Sequence, residues 1–141
     1  DGDILFARSG ATVGKTFQFR FVSDEEKYCY AGYLIKASPN ENIILSDFLM
    51  EYTNSIVFEN WKNSIFSKAT IENIGADKYC VLKIPIPPIT EQKEILDFIK
   101  TETVIIDTAI AKTEREIELI KEYKEAMIAE AVMGKVNFNK K

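Results

Sequence analysis

The chain has 141 residues, 46% of them apolar and 28% charged, and a net charge of −4. That is room for one domain and an appendage. It contains no histidine, which removes zinc–imidazole sites and every Ser-His-Asp or Cys-His catalytic arrangement. Residues 1–88 and 89–141 each hold 9 basic and 11 acidic residues, which argues against strong non-specific DNA binding by this piece alone but not against a shaped contact surface.

Residues 3–8, Asp-Ile-Leu-Phe-Ala-Arg, predict a first strand. The next stretch, "SGATVGKT" (9–16), resembles the phosphate-cradling loop of nucleotide hydrolases. Only three residues separate Gly10 from Gly14, where that loop has four, and Ser9 stands where its first glycine belongs. A phosphate loop also opens a helix. Here residues 16–22 place Phe17, Phe19 and Phe21 at every second position, which is strand periodicity. Strand, glycine-bearing turn and strand predict a hairpin.

Further strands are expected at residues 28–37 and 79–84, and a helix from Ser46 to about Trp61. Ser46 serves as its predicted N-cap, with Asp47 favourably placed against the helix dipole. Residues 63–77 show no clear period and read as loop with a short strand. Cys29 and Cys80 lie in strand-like runs and are expected to be packed free thiols. No run of about 18 apolar residues and no signal peptide is visible, so the chain reads as soluble, cytoplasmic and without a membrane partner. It opens on Asp1 and almost at once on a strand, as expected of part of a longer polypeptide.

The character changes at Ile84-Pro85-Ile86-Pro87-Pro88. Beyond it Thr90 is the predicted N-cap of a helix that runs to Gly134, with residues 101 and 103 as the place for a bend. Leu96, Ile99, Ile106, Ile110, Ile117, Ile120, Met127 and Ala131 follow alternating three- and four-residue steps, completed by Thr103, Thr113 and Lys124. This is the a/d pattern of a coiled coil and predicts pairing with a second helix. The fold class is therefore α+β: a partial, small mixed-sheet domain followed by one long helix. Two apparent chemistry motifs fail. Ile86-Pro87-Pro88-Ile89 lacks the Asn and the aromatic of an amino-methyltransferase motif, and Glu122-Tyr123-Lys124 has nuclease-like spacing without a second convergent carboxylate.

Three stretches together, "GDILFARSGATVGK" (2–15), "IPIPPITEQKEI" (84–95) and "IDTAIAKTEREIELIKEYKEAMIAEAVMGKV" (106–136), resemble the specificity subunit of type I restriction–modification systems. The resemblance implies that residues 1–88 are the C-terminal part of a DNA target recognition domain. It implies a spacer helix at 89–134 and a tail at 135–141. Such subunits read the two halves of a split DNA target and hold the two readers apart on antiparallel helices. Their partners are double-stranded DNA, the methyltransferase and restriction subunits, and a second spacer helix. S-adenosylmethionine, ATP and Mg2+ belong to those partner subunits, so this chain carries no cofactor and no catalytic residue. On this reading Arg8, Ser9, Thr12 and Lys15 are the foremost DNA-contact residues, followed by Ser67, Lys68 and Thr70. Leu96, Ile99, Ile106, Ile110, Ile117, Ile120 and Met127 form the helix-pairing face. The alternative is a non-catalytic assembly module that makes no direct DNA contact.

Overall fold

Alternation of apolar side chains organises the first unit. In the computed structural model, which describes residues 1–23, 27–66 and 73–135, β1 (Ile4–Ala7) buries Ile4 and Phe6 on one face and turns Leu5 to the other. β1 is the central strand of a three-stranded sheet, with β2 (Thr16–Gln18) on one side and β3 (Leu34–Ala37) on the other. Leu5 pairs with Phe17 and with Lys36. Both pairings are antiparallel, so the α+β class holds while the sheet is not mixed. β2 and β3 are shorter than their apolar runs suggested. Residues 19–22 and 28–33 carry aromatics that pack on one another, Phe19 against Phe21 and Tyr28, while Phe19 still exchanges backbone bonds with Gly2 and Asp3 and Tyr33 accepts from Arg8.

One expected helix is two. α1 (Ser46–Asn54) and α2 (Ile56–Phe66) break at Ser55, whose backbone is extended. The Ser55 hydroxyl donates to the Tyr52 carbonyl at 2.7 Å and accepts from the Phe58 amide at 3.4 Å, ending one helix and capping the next. Thr53 likewise bonds back to Met50. Short polar side chains that compete for the helix backbone explain a break that the apolar pattern alone conceals. Leu45, not Ser46, occupies the N-cap position of α1, and the Ser46 amide donates to the Glu41 carboxylate. Asp47 does sit in the first turn, where it receives Arg20 and Gln18.

The core gathers Ile4, Phe6, Leu49 and Phe58, with Ile35, Trp61 and Tyr79 packed around them. Phe6 lies 4.6 Å from Tyr79 between ring centroids, and Phe58 stacks on Trp61 at 5.4 Å. Tyr79 belongs to a short helix, α3 (Ala76–Cys80), where a strand was expected. Gly75 in extended backbone starts it, and residues 82–88 then lie outside any helix or strand. Tyr79, Leu82 and Ile84 still reach the core, so apolar side chains rather than a ladder hold this segment. Cys29 and Cys80 are both exposed free thiols, against expectation, because neither lies on a core-facing strand position.

α4 (Ile89–Val132) is a single 44-residue helix, about 66 Å long at 1.5 Å per residue. It begins before Thr90: the Gln92 amide already donates to the Pro88 carbonyl at 3.0 Å. It ends as the glycine predicts. Gly134 has φ +72°, and its amide and that of Lys135 return to Ala131 and Glu130 in a Schellman closure. Contacts divide the chain into two units, Asp1–Asp97 and Phe98–Lys141.

The first turn of α4 is fastened within the first unit by Gln92, which is wholly buried. Its Nε2 donates to the carbonyls of Ile43 at 2.9 Å and Pro87 at 2.8 Å, and its Oε1 accepts from the Leu45 amide at 2.9 Å. Gln92→Ala removes three hydrogen bonds to backbone groups, so chemical denaturation is expected to show a loss of about 1.5–4.5 kcal/mol, at about 0.5–1.5 kcal/mol for each bond. Gln92→Glu is expected to be no better at neutral pH, since a carboxylate offers no donor to the two carbonyls.

Candidate nucleic-acid interface

The hairpin turn between β1 and β2 is built by its own backbone. The Val13 amide donates to the Gly10 carbonyl at 3.0 Å and the Lys15 amide to Thr12 at 2.9 Å. The Gly14 amide donates to Ala7 at 2.7 Å, and Ala7 returns a bond to Lys15 at 2.9 Å. Three successive amides, at 13–15, are thus satisfied inside the protein, whereas a phosphate loop turns successive amides onto the anion. A strand follows, not a helix. The likeness of "SGATVGKT" to a phosphate loop is one of letters only.

Gly14 lets this turn sit against α2. Its φ is +76°, and a Cβ there would lie 2.5 Å from Lys62 Cδ. Lys62 is itself engaged, 2.6 Å from the Glu59 carboxylate and with its ammonium 5.4 Å from the centre of the Phe58 ring. On the next strand the Thr16 hydroxyl lies 2.9 Å from that of Thr53. Thr53 gives its own proton to Met50, so Thr16 is the donor and β2 is tied to α1.

The turn presents Arg8 and Lys15 at its two ends, both exposed, with Thr12 exposed and Ser9 half-buried between them. Neither Arg8 nor Lys15 makes an ion pair among the described residues, while Arg20, Lys36, Lys62, Lys78 and Arg115 all do. Lys36 illustrates the difference. It lies 3.0 Å from Asp3, which raises its pKa. The Asp3 carboxyl is held below its usual range, chiefly by the Ser38 side chain and then by Lys36. That pair cancels, whereas Arg8 and Lys15 remain available to an outside anion. Beside Thr12 and Lys15 lies an apolar depression of about 250 Å³ floored by Leu5, Phe17 and Leu34. Farther along the same face Phe19, Phe21, Tyr28 and Tyr30 line a second, of about 280 Å³. Away from this surface, burial pushes the core phenol of Tyr79 up to about 12.

Two further segments meet the turn at its Arg8 end. The Arg8 amide donates to the Tyr33 carbonyl at 3.1 Å, and the Arg8 carbonyl accepts from the Ile74 amide at 2.8 Å. Ser9 forms an isolated antiparallel bridge with Asn73. Sequence reasoning brought Arg8, Ser9, Thr12 and Lys15 together but missed Tyr33 and Asn73, because only the folded sheet edge makes them neighbours. Ser67, Lys68 and Thr70 fall outside the described residues.

The second unit has its own surface. Ile106, Ile110, Ile117, Ile120 and Met127 are 47% to 66% exposed and Ile99 is half-buried, as is Leu96 of the first unit. Ile105, Ile106, Ala109 and Ile110 border an apolar groove of about 430 Å³. The apolar face is broader than an a/d seam: Phe98, Ile105 and Leu119, spaced by whole heptads, are also exposed beside it. Among the described residues no group of three potential metal ligands occurs. No helix among them is long and apolar enough to cross a membrane.

The family model of the type I restriction modification DNA specificity domain matches residues 1–121. The chain belongs to this family. It is 32% identical over 137 residues to the type I restriction enzyme EcoKI specificity subunit of Escherichia coli K12, covering 95% of this chain and 29% of that protein. It is 29% identical over 135 residues to the StySPI specificity subunit of Salmonella potsdam, covering 94% of this chain and 28% of that one. The chain thus spans under a third of the length of these two specificity-family relatives. No solved structure matches it.

The local geometry of the turn is testable by itself. Gly14→Ala forces both a left-handed alanine and a collision with Lys62, and is expected to cost about 1–3 kcal/mol in urea unfolding. Gly32→Ala, with open space around it, is expected to stay within about 0.5 kcal/mol of the parent.

Proposed function

We propose that this chain is the part of a specificity subunit that reads one half of a bipartite DNA target and sets the half-site separation through its helix. The uncovered apolar stripe on an unbroken 44-residue helix carries this reading. Such a stripe is stable in water only when another helix covers it. A helix is also a good ruler, because its axial hydrogen bonds resist compression. One added turn, about 5.4 Å, moves the preferred spacing by one to two base pairs at about 3.4 Å each.

In this proposal residues 1–88 are the C-terminal part of the recognition domain, 89–134 the spacer and 135–141 a tail. Arg8 and Lys15 meet DNA phosphates, with the Ser9 and Thr12 hydroxyls as shorter donors. The a/d seam takes a second spacer helix, from the same polypeptide or another copy, in antiparallel orientation. The flanking stripe of Phe98, Ile105 and Leu119 is then left for a methyltransferase or restriction subunit. Those subunits carry S-adenosylmethionine, ATP and Mg2+ and perform the chemistry in the cytoplasm. The DNA-reading chain itself is non-catalytic.

Two measurements separate the DNA role from the assembly role. In electrophoretic shifts of the intact complex, Arg8→Ala with Lys15→Ala is expected to reduce the salt slope of binding by about 1.8, at 0.9 per phosphate contact. Unchanged affinity and slope would leave only the assembly module. In sedimentation the chain is expected to dimerise at micromolar concentration, and Ile110→Asp with Ile117→Asp to weaken this by about a hundredfold or more, since two unpaired carboxylates would be buried. A monomer at high concentration removes the paired helix.

A further inference from the structure

The Arg8 end of the turn supports a specific division of labour. Asn73 is pinned beside Ser9 by their backbone bridge and by the 2.8 Å bond from the Ile74 amide to the Arg8 carbonyl. Ile74, the next residue, is wholly buried and roots the segment in the core. On the other side Arg8 is held to Tyr33, whose side chain is 57% exposed. The backbone of Asn73 is therefore fixed on two counts. Its side chain is exposed, and its amide makes no hydrogen bond among the described residues.

A carboxamide is the side chain that carries a donor and an acceptor in one plane. That pair complements N7 and the N6 amino group of adenine in the major groove, and Asn or Gln is the usual reader of this edge. Charged Arg8 and Lys15 suit phosphates, which set register and orientation but carry no sequence information. The Tyr33 hydroxyl suits a phosphate as well. We infer that Asn73 is a base-reading residue, taking the adenine of an A·T pair in the major groove while Arg8, Lys15 and Tyr33 hold the flanking backbone. This inference rests on the proposed DNA role and adds to it a residue, a groove and a base.

The test is selection of bound duplexes from a randomised library by the intact complex, for the parent and for Asn73→Ala, Asn73→Gln and Asn73→Asp. With Asn73→Ala, preference for adenine at one position is expected to fall about tenfold or more, the scale of one bidentate pair, with the other positions unchanged. Asn73→Gln is expected to retain part of that preference. Asn73→Asp, an acceptor only, is expected to shift it toward cytosine, whose N4 amino group donates. A base profile identical in parent and Asn73→Ala overturns the inference, and so does equal weakening at every position. A complex that selects no sequence at all overturns the underlying DNA reading. A sequence-selective complex that ignores Asn73 overturns only this step.

Discussion

The architecture turns on one buried carboxamide. Gln92 is in the first turn of α4, yet its three hydrogen bonds reach the segment that leads into α1 and the proline segment before α4. Only a carboxamide satisfies two carbonyls and an amide with one short planar group, and at this position it is carried on the longer stem of Gln. The prolines before it leave carbonyls without local partners and cannot donate themselves. One side chain therefore closes the polar accounts of two helix starts at once. Gln92, the second residue of the Glu-Gln pair that follows the prolines, is explained by these bonds.

A second constraint shapes the proposed contact surface. Four cations of the first unit, Arg20, Lys36, Lys62 and Lys78, are tied to carboxylates, in a chain that is acidic overall. Arg8 and Lys15 escape because the hairpin turn between them contains no acid and binds its amides to its own carbonyls. Gly14 brings that turn down on the stem of Lys62, so Arg8 and Lys15 stand on a rigid base. Local charge at such a place matters more for reading a duplex than the net charge of the chain.

The long helix raises a different physical question. Charged side chains make its outer face soluble, but isoleucines at heptad spacing expose apolar area that water disfavours. The exposed area extends past the a/d seam to Phe98, Ile105 and Leu119.

The amino-acid sequence by itself determined the elements whose signals are local and repeated. The β1–β2 hairpin, the 44-residue helix, its glycine stop and its heptad stripe were all legible, because each rests on periodicity or on a residue with a special backbone. The tertiary structure alone decided the rest. The break at Ser55 arises from hydroxyls bonding back to the backbone, and the short helix at 76–80 from Tyr79 wedging against Phe6 and Trp61. The burial of Gln92 depends on residues 43–45, and the meeting of Arg8, Tyr33 and Asn73 on a sheet edge assembled from three distant segments. Hydrogen bonds between residues tens of positions apart leave no period in a sequence, and only the folded chain reveals which polar groups they join.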